Sequence, residues 1–111
     1  MNGKVNLEKI LKTCEHRGLC EIEETVGEWS FALNDLPINL KIKIVYLAVK
    51  GKFKATPNYK IQNPEQATPY EGVSFSDTAE GALNDSLREF LAWWRPEKYK
   101  DKTRFILVEN W

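Results

Sequence analysis

Side chains able to do chemistry are few in this chain and thinly spread. Cys14, His16 and Cys20 fall together in "CEHRGLC". Two thiolates and an imidazole are zinc-type donors. A structural zinc site takes four ligands in recognisable pairs, however, and no second pair follows. The stretch therefore reads as two reduced thiols, one on a helix and one on a strand. His16 is the single histidine. As a general base it needs a nucleophile within hydrogen-bond reach, and the sequence places none beside it. Asp77, Asp85 and the neighbouring glutamates are spaced as the polar face of a helix rather than as metal ligands. There is no Walker-type phosphate loop, no Rossmann glycine pattern and no paired metal-ligand motif. The expectation is a chain with no catalytic residue, no cofactor and no bound metal.

Charge is more informative. The chain has 16 basic and 16 acidic residues and is formally neutral, yet the stretch from 41 to 62 holds Lys41, Lys43, Lys50, Lys52, Lys54 and Lys60 and no acid. Phe53, Tyr59 and Tyr46 lie among them. Positive charge interleaved with stacking rings is the basis of single-stranded nucleic-acid binding. Lys41, Lys43, Lys50, Lys52, Phe53, Lys54, Tyr59 and Lys60 are accordingly the candidate nucleic-acid contacts. Two facts weigh against them. All six bases are lysine, where the arginine fork makes the better phosphate contact. Lysine also guards sheet edges against pairing with other chains. A solvated, edge-protecting hairpin is the preferred reading.

The elements that position these residues follow from hydrophobic period. At 111 residues the chain fits one domain with one core. The N-terminus lacks an apolar secretory core, and no apolar run has the length of a membrane span. With reduced thiols, a cytoplasmic location is expected. Leu7, Ile10, Leu11 and Cys14 at helical spacing predict a helix over 7–17, capped by Asn6 and stopped by Gly18. "LCEIEE" and "WSFAL" alternate as strands, but with opposite parity, so either a turn near 24–27 or a bulge at Gly27 separates them. "INLKIKIVYLAVK" is the longest strand candidate. Lys50–Gly51 makes a hairpin turn into "KFKAT". Glu21 and Glu23 are placed to pair across the sheet with Lys41 and Lys43. Residues 57–75 read as a long connector loop, with a short strand at Val73–Phe75. Asp77 and Glu80 predict a capping box opening a helix whose apolar face carries Leu83, Leu87, Phe90 and Trp94. Pro96 ends it. "RFILVENW" predicts a last strand, apolar on both faces.

The predicted architecture is a single α+β domain over 1–111. Two helices pack on a mainly antiparallel sheet of about five strands, in the order α-β-β-β-β-α-β. The expected core sets Leu83, Leu87, Phe90 and Trp94 against Ile42, Ile44, Phe31 and Leu107.

"FSDTAEGALNDSLREFL" resembles the strand-to-helix entry of HicB-type antitoxins. The resemblance is confined to that stretch, and the leading helix and the long connector depart from the family's pattern. The order helix, three strands, helix is similar to double-stranded RNA-binding domains, but Asp77 and Glu80 stand where those domains place lysines. Neither family is assigned.

An apolar surplus remains. Val45, Leu47 and Val49 face away from Ile44 and Tyr46, and Trp93 and Trp111 add aromatic area of the kind that anchors interfaces. These five residues are the candidate protein contacts. The function expected is a small non-enzymatic binding module, a protein–protein regulator or inhibitor of the phage or mobile-element type. Its partner would be another protein or a second copy of itself, with no membrane involved. The alternative is a nucleic-acid-binding module using the lysine-rich 41–60 hairpin. Third comes a small metal-dependent hydrolase or nuclease.

Overall fold

A computed structural model describes residues 5–15 and 21–111; His16 and Cys20 lie outside the described residues. The first element is α1, Leu7–Glu15. Asn6 starts it as predicted, its Oδ1 accepting the Lys9 N–H at 3.1 Å. None of its residues is buried.

The main sheet is fully antiparallel. It contains β1 (Glu23–Phe31), β2 (Leu40–Leu47), β3 (Lys52–Pro57) and, beyond β4 (Tyr59–Gln62), β5 (Ser74–Ser76), in the spatial order β1-β2-β3-β5. The two strand signals before residue 34 belong to one strand. The register against β2 slips between Thr25 and Gly27, and the extra residue moves every later side chain to the other face. That slip is the change of parity seen in the sequence. It also corrects the expected pairing of Glu21 and Glu23 with Lys41 and Lys43: Glu28 lies opposite Lys43 and Ser30 opposite Lys41. β2 turns into β3 through residues 48–51, where the Gly51 N–H donates to the Leu47 carbonyl at 2.8 Å. Gly51 has φ +64°, a conformation open to glycine.

The 57–75 segment is shorter on loop than its composition suggests. β3 ends at Pro57, which has no N–H to continue the ladder. The chain then crosses to a second sheet made of β4 and the terminal β6 (Arg104–Leu107). Asn58 forms the joint. Its N–H donates to the Lys41 carbonyl at 2.9 Å and its carbonyl accepts from Val108 at 2.9 Å. Its Oδ1 takes the Lys41 N–H at 2.8 Å, replacing a ladder partner with a side chain. The terminal strand thus pairs with β4 rather than within the main sheet, and Leu107 is 63% exposed. Leu107 therefore leaves the expected core and Phe105 takes the place, its ring 5.4 Å from that of Trp94.

The second long helix, α2 (Ala79–Ala92), lies over β2, β3 and β5. Its cap is Thr78, one residue past the expected Asp77; the Thr78 hydroxyl accepts the Gly81 N–H at 3.0 Å. Pro96 does not end α2 but opens a short third helix, α3 (Pro96–Tyr99), where a proline at the first turn is well tolerated. Two buried groups make the core. One is Leu36, Leu40, Ile61 and Phe90; the other is Ile42, Ile44, Ala55 and Ala82. Leu87 and Phe31 touch both. α2 is drawn close to the segment before β5, where the Ser86 hydroxyl donates to the Gly72 carbonyl at 2.7 Å. No helix among the described residues is long and apolar enough to cross a membrane.

Candidate functional site

Strand alternation decides where the lysines go. Leu40, Ile42 and Ile44 of β2 point to α2 and are buried, so Lys41 and Lys43 project from the opposite, open face. On β3, Phe53 and Ala55 pack toward α2, which sends Lys52 and Lys54 to the same open face. Lys52 lies opposite Leu47 and Lys54 opposite Val45. Lys50 stands in the turn between the strands. Five lysines scattered over fourteen residues of sequence are thus gathered on one side of one strand pair.

Their position in the sheet matters as much. β2 and β3 are the two central strands, flanked by β1 and β5. Edge protection is a task for edge strands, so it does not explain Lys43 and Lys54, which have strand partners on both sides. Among the described residues, no side-chain carboxylate lies within 4 Å of the ammonium of Lys41, Lys43, Lys50 or Lys54, whereas Lys52 pairs with Asp77. The acidic members that β1 adds to this face are Glu23 and Glu28, and Glu23 lines one pocket with Lys43 and Lys54.

Two aromatic rings share the face. The Trp111 indole N–H donates to the Thr56 carbonyl at 2.7 Å, and Lys43 Nζ lies 5.1 Å from the ring centroid while also donating to the Trp111 carbonyl. Val108, Asn110 and Trp111 therefore lie across the open side of β2 and β3, lining a pocket with Glu23, Lys43, Val45, Lys54 and Thr56. Phe75, opposite Lys54 on β5, is 52% exposed, and Lys50 Nζ sits 5.9 Å from its ring centroid. Ammonium groups over ring faces are held by the ring quadrupole. Glu21 orders the turn that carries Lys50: its carboxylate accepts the N–H groups of Val49 at 2.6 Å and Lys50 at 3.3 Å. Partial burial raises the Glu21 pKa, but the main-chain donors Val49, Ile22 and Lys50 outweigh it and leave the carboxyl below its ordinary value.

The other sequence candidates fall elsewhere. Phe53 packs toward α2 with its ring 4.9 Å from Tyr46, and Tyr59 packs against the Leu40–Phe90 group. Neither lies on the lysine face, because each has the wrong parity or the wrong sheet. Lys60 is on β4 and pairs with Glu71 at 3.3 Å. Val45 and Leu47 are buried, Val45 beside Trp111, so they have little surface to offer a partner. Val49 is 54% exposed in the turn. Trp93 is half-buried, packed on the Leu40–Phe90 group and accepting the Asn63 Nδ2–H at its carbonyl at 2.9 Å. Trp111 is half-buried where it meets Thr56. Phe75 was missed. The alternation Ser74-Phe75-Ser76 carried the signal, but three residues are too few to give a face without knowing the neighbouring strand.

Among the described residues no group of three or more His, Cys, Asp or Glu is placed to hold a metal ion. Comparison with protein-family models, with curated proteins and with solved structures finds no match to the chain.

Proposed function

We propose that this chain is a non-catalytic binding module whose open sheet face holds a single strand of nucleic acid. The observation that carries the reading is the convergence of Lys41, Lys43, Lys52 and Lys54 on the open side of two central strands. Edge protection does not account for Lys43 and Lys54 there, although Lys43 also holds Trp111 through its carbonyl and ring. Lys50 extends the charge to the turn, and Phe75 and Trp111 offer ring surface beside it. Ammonium groups neutralise phosphates while rings stack on bases, the two contributions that sequence-tolerant single-strand binders combine. Glu28 on β1 would repel a phosphate strand from that side and favour a track toward β3 and β5.

The test is a titration of labelled oligo-dT and oligo-U at physiological salt, with polyglutamate as a competitor lacking bases. The reading expects salt-sensitive binding that polyglutamate displaces poorly, lost in a Lys43→Glu/Lys54→Glu variant that keeps its circular dichroism. Absence of binding would remove it. Equal displacement by polyglutamate would assign the face to an acidic protein surface, in line with a protein–protein regulator.

A further inference from the structure

We infer that the outer edge of β1 takes up an extended segment of a partner protein, with basic residues on one of the segment's faces and apolar residues on the other. The inference rests on β1 and not on the lysine face.

β1 is an edge strand of nine residues, and no described strand pairs with its outer side. Which main-chain groups it offers can be read from the ladder. The Ile22 carbonyl accepts the Ala48 N–H at 2.9 Å, so Ala48 faces β1. Lys41 spends its N–H and carbonyl on Asn58, on the β3 side. Alternation along β2 then turns Tyr46, Ile44, Ile42 and Leu40 toward β1. Their partners Glu24, Gly27, Trp29 and Phe31 face inward. The main-chain donors and acceptors left on the outer edge belong to Glu23, Thr25, Glu28 and Ser30.

Side chains on this edge select the occupant. Glu23 and Glu28 project on the open face and Glu24 on the other, and β1 contains no basic residue. A second copy of the chain would bring glutamate against glutamate, which opposes self-pairing. A strand with lysine or arginine on its open-face side meets Glu23 and Glu28 instead. On the opposite side α2 lies mainly over β2, β3 and β5, and β1 reaches the core at its end, through Phe31. There the Trp29 ring lies over Gly27 and remains 39% exposed, available to apolar side chains of the incoming strand. Strand addition draws affinity from main-chain bonds and specificity from alternate side chains, and this edge supplies both.

The probe is a synthetic peptide of alternating lysine and valine, end-blocked and matched in length to β1, added to the full chain without nucleic acid. We expect saturable binding by anisotropy and slowed amide exchange at Thr25 and Ser30. Ser30→Pro removes one outward N–H and keeps every glutamate, a place where a sheet tolerates proline; affinity should fall about tenfold or more. Glu23→Lys/Glu28→Lys, which leaves the main chain untouched, should weaken binding comparably if the proline disturbs the strand. No binding at millimolar peptide would overturn the inference. So would binding that neither variant weakens, exchange protection located away from β1, or protection of these amides by the chain's own self-association.

Discussion

The indole of Trp111 and the carbonyl of Thr56, fifty-five positions apart, are joined by a hydrogen bond of 2.7 Å. It fixes residues 108–111 over the side of β3 that α2 does not reach, and it explains why Val45 is only 8% exposed on an otherwise open face. Trp111→Phe keeps a ring and loses the bond, so it should destabilise the fold by about 1 kcal/mol. Trp111→Ala should cost more and raise solvent access to Val45. Urea denaturation measures both; equal midpoints for wild type and the alanine variant would show that the tail does not rest on the sheet.

The core divides sharply around α2. Phe90 is fully buried between Leu36, Leu40 and Ile61, so Phe90→Ala should cost about 3–5 kcal/mol. Leu107, assigned to the core by its strand pattern, is mostly exposed, and Leu107→Ala should stay within about 0.5 kcal/mol. Denaturant midpoints of the two variants should therefore separate widely. Similar losses would mean that β6 packs by its other face.

Much of this fold was legible because period two and period 3.6 are visible without neighbours. The Leu40–Leu47 strand, the Lys50–Gly51 turn and the α2 face follow from spacing alone, and the parity change before Phe31 left a turn or a bulge, between which the ladder decides. What could not be read was which strand adjoins which. Phe53 looked like a companion of Lys52 and Lys54 because it sits between them; strand alternation sends it to the opposite side. Phe75 looked isolated until β5 was placed beside β3. The splitting of 57–75 into a sheet-crossing strand depends on Asn58 and Val108, distant in sequence. Charge runs name their residues, but only the sheet order shows that these lysines sit on central strands.

Tyr70 should resist ionisation. Partial burial and the hydrogen bond of its hydroxyl to Glu89 Oε2 at 2.7 Å push its pKa up to about 12. A folded value above the unfolded one, about 10, means that its contribution to stability is complete below about pH 10. That contribution is lost as pH rises through about 12. Absorbance titration of the tyrosinates should show one late component that disappears in Tyr70→Phe. The variant should also lose less stability than wild type across that window. A titration indistinguishable from wild type would show that the Glu89 contact is not kept in solution.

Glu21 gives the opposite sign. Its carboxyl is held below its ordinary value by the main-chain donors of Val49, Ile22 and Lys50, which outweigh the upward effect of partial burial. The turn is therefore secured above the ordinary carboxylate range and loosens as pH falls through the lowered value. Amide resonances of Val49 and Lys50 should shift together over that acid range, and Glu21→Gln should abolish the transition. Independent midpoints for the two amides would argue against a shared carboxylate.

The lysine face can be dissected residue by residue. If a strand of nucleic acid runs over β2 and β3, each lysine that meets a phosphate releases counterions, and its loss should lower the logarithmic salt slope by about 0.7 for a single strand. Lys41→Gln and Lys54→Gln should each do so, because their side chains share the open face and, among the described residues, no carboxylate side chain pairs with them. Lys60→Gln should leave the slope unchanged, since Lys60 lies on β4 and is engaged with Glu71. The rings should divide in the same way. Phe75→Ala should weaken binding by about 1–3 kcal/mol, the contribution of one stacked base, with little effect on folding because the ring is half exposed. Phe53→Ala should instead destabilise the fold, as its ring packs beneath α2 beside Tyr46. Filter-binding isotherms at several salt concentrations, set beside urea curves for the same variants, measure both. A slope that falls as much for Lys60→Gln as for Lys54→Gln would show diffuse charge attraction rather than a strand seated on this face.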